Sequence, residues 1–218
     1  MSEQTAHEPE TARILPVFPL EGTVLFPCTR LALQVFEPRY RTMIRDVTRG
    51  EGLIVVSLES NGRLSRLGTV GRIRELETLE DCQLNLRLEG LERVSLTELP
   101  GDGPYRQVQI DPRPERLGAD SSSQLTEARL ELLASYVILH RMVVPGEGCI
   151  VSQDLSFEYA VNMACAALPI DSGLRQRLLD EDSLMERQRR TMDHISKVVE
   201  TLNWLRASKG SDNATLMN

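Results

Sequence analysis

At 218 residues the chain can hold one large domain or two small ones, and its 41% hydrophobic and 26% charged content is ordinary for a folded globular protein. Aromatic residues make up only 4%, so the core must come from Leu, Val, Ile, Met and Ala. The formal net charge of −7 argues against a protein that coats nucleic acid.

Residues 1–12 are polar and acidic (Glu3, Glu8, Glu10) and read as a disordered tail. They have neither the basic nor the apolar region of a signal peptide, and no apolar run later reaches the ~18–20 residues that span a bilayer, so a cytoplasmic location is expected. From 13 to 116 the pattern is β-like. Leu31, Leu33 and Val35 alternate with polar or small residues, as do Leu84, Leu86 and Leu88, then Val94 and Leu96, then Val108 and Ile110. One helix interrupts: Pro38 suits a first turn, Tyr40, Met43, Ile44 and Val47 form an apolar face, and Gly50 is the expected C-terminal cap. Leu53 to Leu58 reads as a buried strand. Asn61-Gly62 is a turn signal that suits a tight hairpin or a longer loop, and Pro100-Gly-Asp-Gly-Pro104 is a second turn.

The Pro- and Ser-rich stretch 112–123 marks a change of period, with the linker placed at 117–124. From 125 to 207 the period is helical. Leu125, Ala128, Leu132, Tyr136 and Leu139 form one stripe. Leu155, Tyr159, Val161, Ala164 and Leu168 form another, stopped by Pro169. Leu174, Leu178 and Leu179 mark a short third helix. The last helix opens with a capping box, Ser183-x-x-Glu186, and carries Met192, Ile195, Val199 and Leu202. A flexible tail is expected over 208–218. The class is therefore α+β: a β subdomain with one helix, then a helical bundle.

Chemistry is sparse. The sequence has no G-x-x-x-x-G-K-[ST], no H-E-x-x-H and no Cys/His zinc spacing, so neither cofactor nor metal is expected. Gly101-x-Gly103 lies in a Pro-flanked turn without a third glycine or following helix, which speaks against dinucleotide binding. Cys28, Cys82, Cys149 and Cys165 are far apart and too few for a disulfide framework. His140 and His194 read as packed or surface histidines. His140 or Cys28 hydrogen-bonded to carboxylates in a pocket would instead point to an enzyme. Arg39, Arg41, Arg45 and Arg49 share a helix, and Arg63, Arg66, Arg72 and Arg74 follow. Interleaved Glu37, Asp46, Glu51, Glu75 and Glu77 favour a solvated face over a phosphate surface.

Leu15-Pro-Val-Phe-Pro-Leu20, Thr23-Val-Leu-Phe-Pro27 and Leu31-Ala-Leu-Gln-Val-Phe-Glu-Pro-Arg-Tyr40 form one signature. Gly68-Thr-Val-Gly-Arg-Ile-Arg74 and Asn85-Leu-Arg-Leu-Glu-Gly-Leu-Glu-Arg-Val94 form a second. Together they resemble the N-terminal, substrate-recognition domain of the bacterial Lon protease family (peptidase S16), from about Ile14 to Leu205. The resemblance implies that the β half is a PUA-like barrel and that the helical half packs onto it. A full Lon protease continues into an ATPase module and a Ser-Lys peptidase domain, and neither is found in this sequence. What the resemblance then implies is a non-catalytic protein- or peptide-binding module, without ATP-dependent protease activity of its own. Its expected partners are unfolded or specific client polypeptides, with a link to a separate Lon-type protease. The candidate contact residues are Val24, Leu25, Phe26, Phe36 and Tyr40, with Phe26 either exposed or packed into the barrel. The expected groove is the cleft between the subdomains, near the 112–123 linker. The alternative reading is an RNA-binding PUA-like protein, which the acidic net charge weakens.

Overall fold

Alternating aliphatic residues build the first half into strands β1 (Arg13–Leu20), β2 (Arg30–Val35), β3 (Leu53–Ser60), β4 (Arg63–Leu64), β5 (Leu67–Thr78), β6 (Leu84–Leu99) and β7 (Gln107–Pro112). The computed structural model describes residues 13–79, 83–118, 121–146, 149, 151–152 and 154–215, so the expected 1–12 tail, Cys82 and residues 216–218 lie outside it. The strands follow the order β1-β7-β6-β5-β3, and β1 pairs with β3 in parallel, Val17 opposite Val55. That last pairing closes the sheet into a barrel. Strand β2 lies off the ring, antiparallel to the first part of β6, and β4 extends β3. Asn61 and Gly62, at φ 52° and 75°, make the tight hairpin turn between β3 and β4.

Val17, Val55, Val70, Val94, Val108 and Ile110 fill the barrel interior. Helix α1 (Pro38–Thr48) carries Tyr40, Met43 and Ile44 in a second cluster with Phe18, Ile54 and Leu88. The left-handed turn after it falls on Gly52 (φ 67°), not on the expected Gly50, and the Gly52 N–H donates to Val47 O at 3.0 Å.

The second half holds α2 (Ser122–Val143), α3 (Phe157–Ala167), α4 (Ser172–Asp180) and α5 (Leu184–Thr215). Ser121, Ser156 and Asp171 cap the first three, accepting from the N–H groups of Gln124, Tyr159 and Leu174. Ser121 with Gln124 is a complete capping box that the sequence reading did not use. The expected box at Ser183 is half formed. Its hydroxyl accepts the Glu186 N–H at 3.3 Å, but the Glu186 carboxylate turns to Arg189 and Arg190, and Glu181 takes the Ser183 N–H. Helix α5 runs past residue 207, where the expected bundle stops. No helix among the described residues is long and apolar enough to cross a membrane.

The halves share one core. Val24 and Phe26, in the loop between β1 and β2, belong to the cluster built by Leu132, Phe157, Ala160 and Leu178 of the helices, while Leu25 belongs to the α1 cluster. Gly90 makes room for this loop. A Cβ there would lie 2.2 Å from the Phe26 carbonyl oxygen, and the glycine also accepts the Cys28 N–H at 2.8 Å.

A polar knot completes the seam. Arg93 on β6 and Arg187 on α5 have side chains with no solvent exposure. Arg93 donates to Leu179 O at 2.7 Å, Glu181 O at 3.1 Å and Pro114 O at 3.3 Å, and pairs with Asp182 at 3.1 Å. Arg187 donates to Glu115, to Asn162 Oδ1 at 2.6 Å and to Glu181 O at 2.6 Å. Arg93→Met should lower the unfolding free energy by about 3–5 kcal/mol, because one buried and two part-buried carbonyls and two largely buried carboxylates lose a cation. Urea titration reads this as a fall in midpoint. Arg113→Met, which removes only the exposed partner of Asp182, should leave the midpoint nearly unchanged.

Candidate functional site

The chain turns at the barrel mouth where β2 ends and α1 begins. Glu37 holds an extended conformation (φ −68°, ψ 132°) and Pro38 starts the helix at once. The turn throws Phe36 outward: it is 66% exposed, while Phe18, Phe26 and Phe157 are buried. Tyr40, on the first turn of α1, stacks on Phe18 with ring centroids 4.5 Å apart, and the Arg39 guanidinium lies 4.7 Å from its ring.

Two depressions meet at Arg39 and Tyr40. One is a slot of ≈ 300 Å³ between Phe18–Leu20 of β1 and Leu33–Phe36, with Glu21, Glu37 and Glu59 also in its lining. The other is a shallow cavity of ≈ 670 Å³ against the 100–107 turn, where Tyr105 and Arg106 form the wall. Arg106 fixes that wall. It donates to Glu98 at 2.6 and 2.8 Å and to Glu59 at 3.1 Å. Those hydrogen bonds hold the Glu98 carboxyl below its usual range. The Tyr105 hydroxyl donates to Asp46 at 3.1 Å, and burial together with that bond raises its pKa, so it stays a donor. Aromatic, aliphatic and ion-paired side chains converge here.

The expected contact residues separate into two groups. Phe36 and Tyr40 come together at the mouth, Phe36 exposed and Tyr40 only 7% exposed, reaching the two depressions as part of their lining. Val24, Leu25 and Phe26 offer no outward surface: they are 6%, 2% and 0% exposed. Their loop is gripped from both sides, by Thr69 Oγ1 donating to Leu25 O at 2.6 Å and by the close approach of Gly90. Phe26 packs inward, and the partner it meets is the chain's own helical half. Leu20 and Tyr105 were not singled out from sequence, and Arg39 was read only as one of the arginines of its helix. The one available signal was Tyr105, an aromatic directly after a Pro-Gly turn.

The cleft between the halves departs from expectation too. A depression of ≈ 570 Å³ lies there, with Cys28, Arg30, Glu89 and Tyr159 in its lining, but no linker residue. The linker is stitched into the seam instead, Arg116 N–H to Asp182 O at 2.8 Å and Leu184 N–H to Arg116 O at 2.9 Å. Cys28 does meet a carboxylate, with Sγ 3.9 Å from Glu158 Oε1. Burial, then the charges of Glu158, Glu115 and Glu89, push the thiol up to about 11. A nucleophilic cysteine takes the opposite, a lowered pKa beside positive charge. The arginines expected to form either a phosphate surface or a solvated face include three ion pairs: Arg39 with Glu37 at 2.8 Å, Arg49 with Asp46 at 3.5 Å, and Arg74 with Glu89. Pairing of this kind cancels the positive field that nucleic acid requires.

Glu158 is pushed up to about 7, by burial first and then by its hydrogen bond to Glu115 and that neighbour's charge. Burial alone would raise Glu115 too, but the charge and hydrogen bond of Arg187, with help from Arg93, outweigh it and hold Glu115 below its usual range. The folded state thus binds the Glu158 proton more tightly than the unfolded chain does. Its contribution to stability is complete below the ordinary 4.5 and is lost as pH rises to about 7. In thermal melts of Glu158→Gln against the parent, the difference in Tm should shift toward the variant as pH rises through that window. A constant difference contradicts this.

A family model described as the ATP-dependent protease La (LON) substrate-binding domain matches residues 14–197. The Lon protease of Flavobacterium johnsoniae is 23% identical over 211 residues, which cover 92% of this chain and 26% of that protein. The Lon protease of Orientia tsutsugamushi is 25% identical, over 86% of this chain and 25% of that protein. The chain thus spans about a quarter of the length of these curated relatives. Among solved structures, the N-terminal domain of the Mycobacterium avium complex Lon protease superposes with a TM-score of 0.67 at 15% identity, covering 84% of this chain and 98% of that one, and shows the same fold. The Lon N-terminal domain protein from Xanthomonas campestris is 26% identical, with a TM-score of 0.61 over 83% of this chain and 98% of that one. With the barrel and most of the bundle inside the matched span, the chain belongs to the LON substrate-binding domain family.

Proposed function

We propose that this chain is a non-catalytic polypeptide-binding module that captures exposed apolar segments of unfolded or specific client proteins at the barrel mouth. Phe36, Tyr40, Leu20 and Tyr105 supply the apolar contact, and Arg39, Glu37 and Arg106 supply polar contacts around it. The module has no ATP-dependent protease activity of its own, acts in the cytoplasm, and passes its clients to a separate Lon-type protease.

The observation that carries this reading is Phe36. A phenylalanine 66% exposed on a fixed turn, beside a slot of ≈ 300 Å³, keeps apolar surface in water that the fold could have buried. Aromatic anchors next to pockets are where binding energy concentrates. Membership of a substrate-binding family gives the same direction independently.

Fluorescence anisotropy against a labelled, reduced and alkylated protein tests it. Phe36→Ser should weaken binding by about tenfold or more while leaving the melting temperature unchanged, since the side chain is exposed. Trp204→Ala, an equally exposed aromatic on α5, should leave binding unchanged. Equal affinity of Phe36→Ser and the parent would sink the assignment of the site. Equal affinity for the native and unfolded forms of the probe would sink the function.

A further inference from the structure

Barrel closure leaves strand β2 outside the ring with a partner on one side only. It pairs with β6 from Arg30 opposite Glu89 to Val35 opposite Leu84, and no second strand among the described residues joins it. The phase of that ladder is fixed by its first bond, Gly90 N–H to Thr29 O at 2.9 Å. In an antiparallel pair the residues that exchange hydrogen bonds recur every second position. Leu31, Leu33 and Val35 therefore bond to β6, and the N–H and C=O groups of Arg30, Ala32 and Gln34 point away from it. Those three residues are also exposed. A row of unmet backbone donors and acceptors faces solvent along one side of the strand.

Other open edges in this sheet are blunted. Strand β3 leaves β5 at Arg72, and the segment beyond carries the exposed charges Arg74, Glu75 and Glu77, the usual device against edge pairing. Strand β4 has only two residues. The β2 edge has a single charge, Arg30 at its far end, and it ends at the slot beside Phe36. The opposite wall of that slot is itself a strand end released from pairing. Strand β7 leaves β1 at Pro16, and after the bond from Val17 N–H to Arg106 O, Phe18–Leu20 keep β3 on one side and the slot on the other. Glu21, Glu37 and Glu59 stand around the slot; Arg39 pairs with Glu37 and Arg106 with Glu59, so Glu21 is the carboxylate left to meet a positive charge. An apolar side chain with a basic neighbour fits that lining.

We propose that the outer edge of β2 takes an extended basic–apolar polypeptide segment as an added strand, with one apolar side chain of that segment seated in the slot beside Phe36. This deepens the polypeptide-binding reading and rests on it. It explains how a recognition surface can accept many sequences: the main chain supplies most of the hydrogen bonds, and the slot asks only for one apolar residue near a positive charge.

The test uses a short fluorescein-labelled peptide alternating Lys and Val around one Phe, titrated with the full chain. Binding is expected, with Glu in place of Lys weakening it about tenfold or more. N-methylation of every second peptide amide, in the set facing β2, should weaken binding about tenfold, and methylation of the other set should not. Ala32→Pro should do the same from the protein side. It deletes an outward N–H at an edge position where proline is tolerated, so the melt should stay close to the parent's. Should that variant fold poorly, the methylated peptides still decide the matter. A peptide that binds equally well with either set methylated overturns the added strand and leaves the polypeptide-binding reading standing. Failure of both the peptide and the unfolded protein to bind overturns both. Self-association that Ala32→Pro abolishes, without peptide binding, assigns the edge to a second copy of the chain and overturns the proposal.

Discussion

Two guanidinium groups with no access to water, Arg93 and Arg187, hold the barrel and the helical bundle in register. Burial, and the charge of Arg187 beside it, pull Arg93 below its ordinary pKa, which measures how hostile the site is to charge. Such a group is tolerated only where neighbours supply acceptors, and here the terminal nitrogens are met while the Nε of each guanidinium makes no hydrogen bond. Here the answers come from the end of α4 (Leu179, Glu181), from the linker (Pro114, Glu115) and from Asp182. Each of those segments must then be where it is. Lining up two separate stretches of chain, 114–115 and 179–182, on one side chain gives the seam a geometric specificity that apolar packing alone would not.

The apolar part of the seam obeys the same constraint. Phe26 enters the helical core because Gly90 lets the backbone come close and Thr69 holds the Leu25 carbonyl. With loop, linker and helix ends all committed inward, Phe36 and Arg39 are left on the outer side of the turn at the barrel mouth. An interior committed in this way, with one apolar edge, would suit the proposed capture of extended chains.

Much of the fold could be read from the sequence. Period-two alternation located β2, β6 and β7, and the 3.6-residue stripes located the helices, because burial on one face leaves that trace directly in residue order. The capping box read at Ser183 forms only in part, since nearby Arg189 and Arg190 compete for the Glu186 carboxylate. Side-chain competition of that kind is invisible until the helix turns exist. The site was legible as residue types and not as directions. Val24-Leu25-Phe26 and Phe36 look alike as apolar residues near turns, yet one set is buried and the other is not. What separates them is Gly90, distant in sequence, and no local pattern carries that information. The buried arginines were equally hidden, because Arg93 lies in an ordinary alternating strand and only the closed barrel turns it toward the helices.

Amide hydrogen exchange with and without a saturating unfolded polypeptide addresses the central claim most directly, since it reads the β2–α1 mouth, the 24–26 loop and the helical half in one experiment. Slower exchange at Arg30, Ala32, Gln34 and Phe36, with Val24 to Phe26 unchanged, is the predicted result. Protection confined to the exposed end of α5 around Trp204, with the β2 edge unchanged, would contradict it.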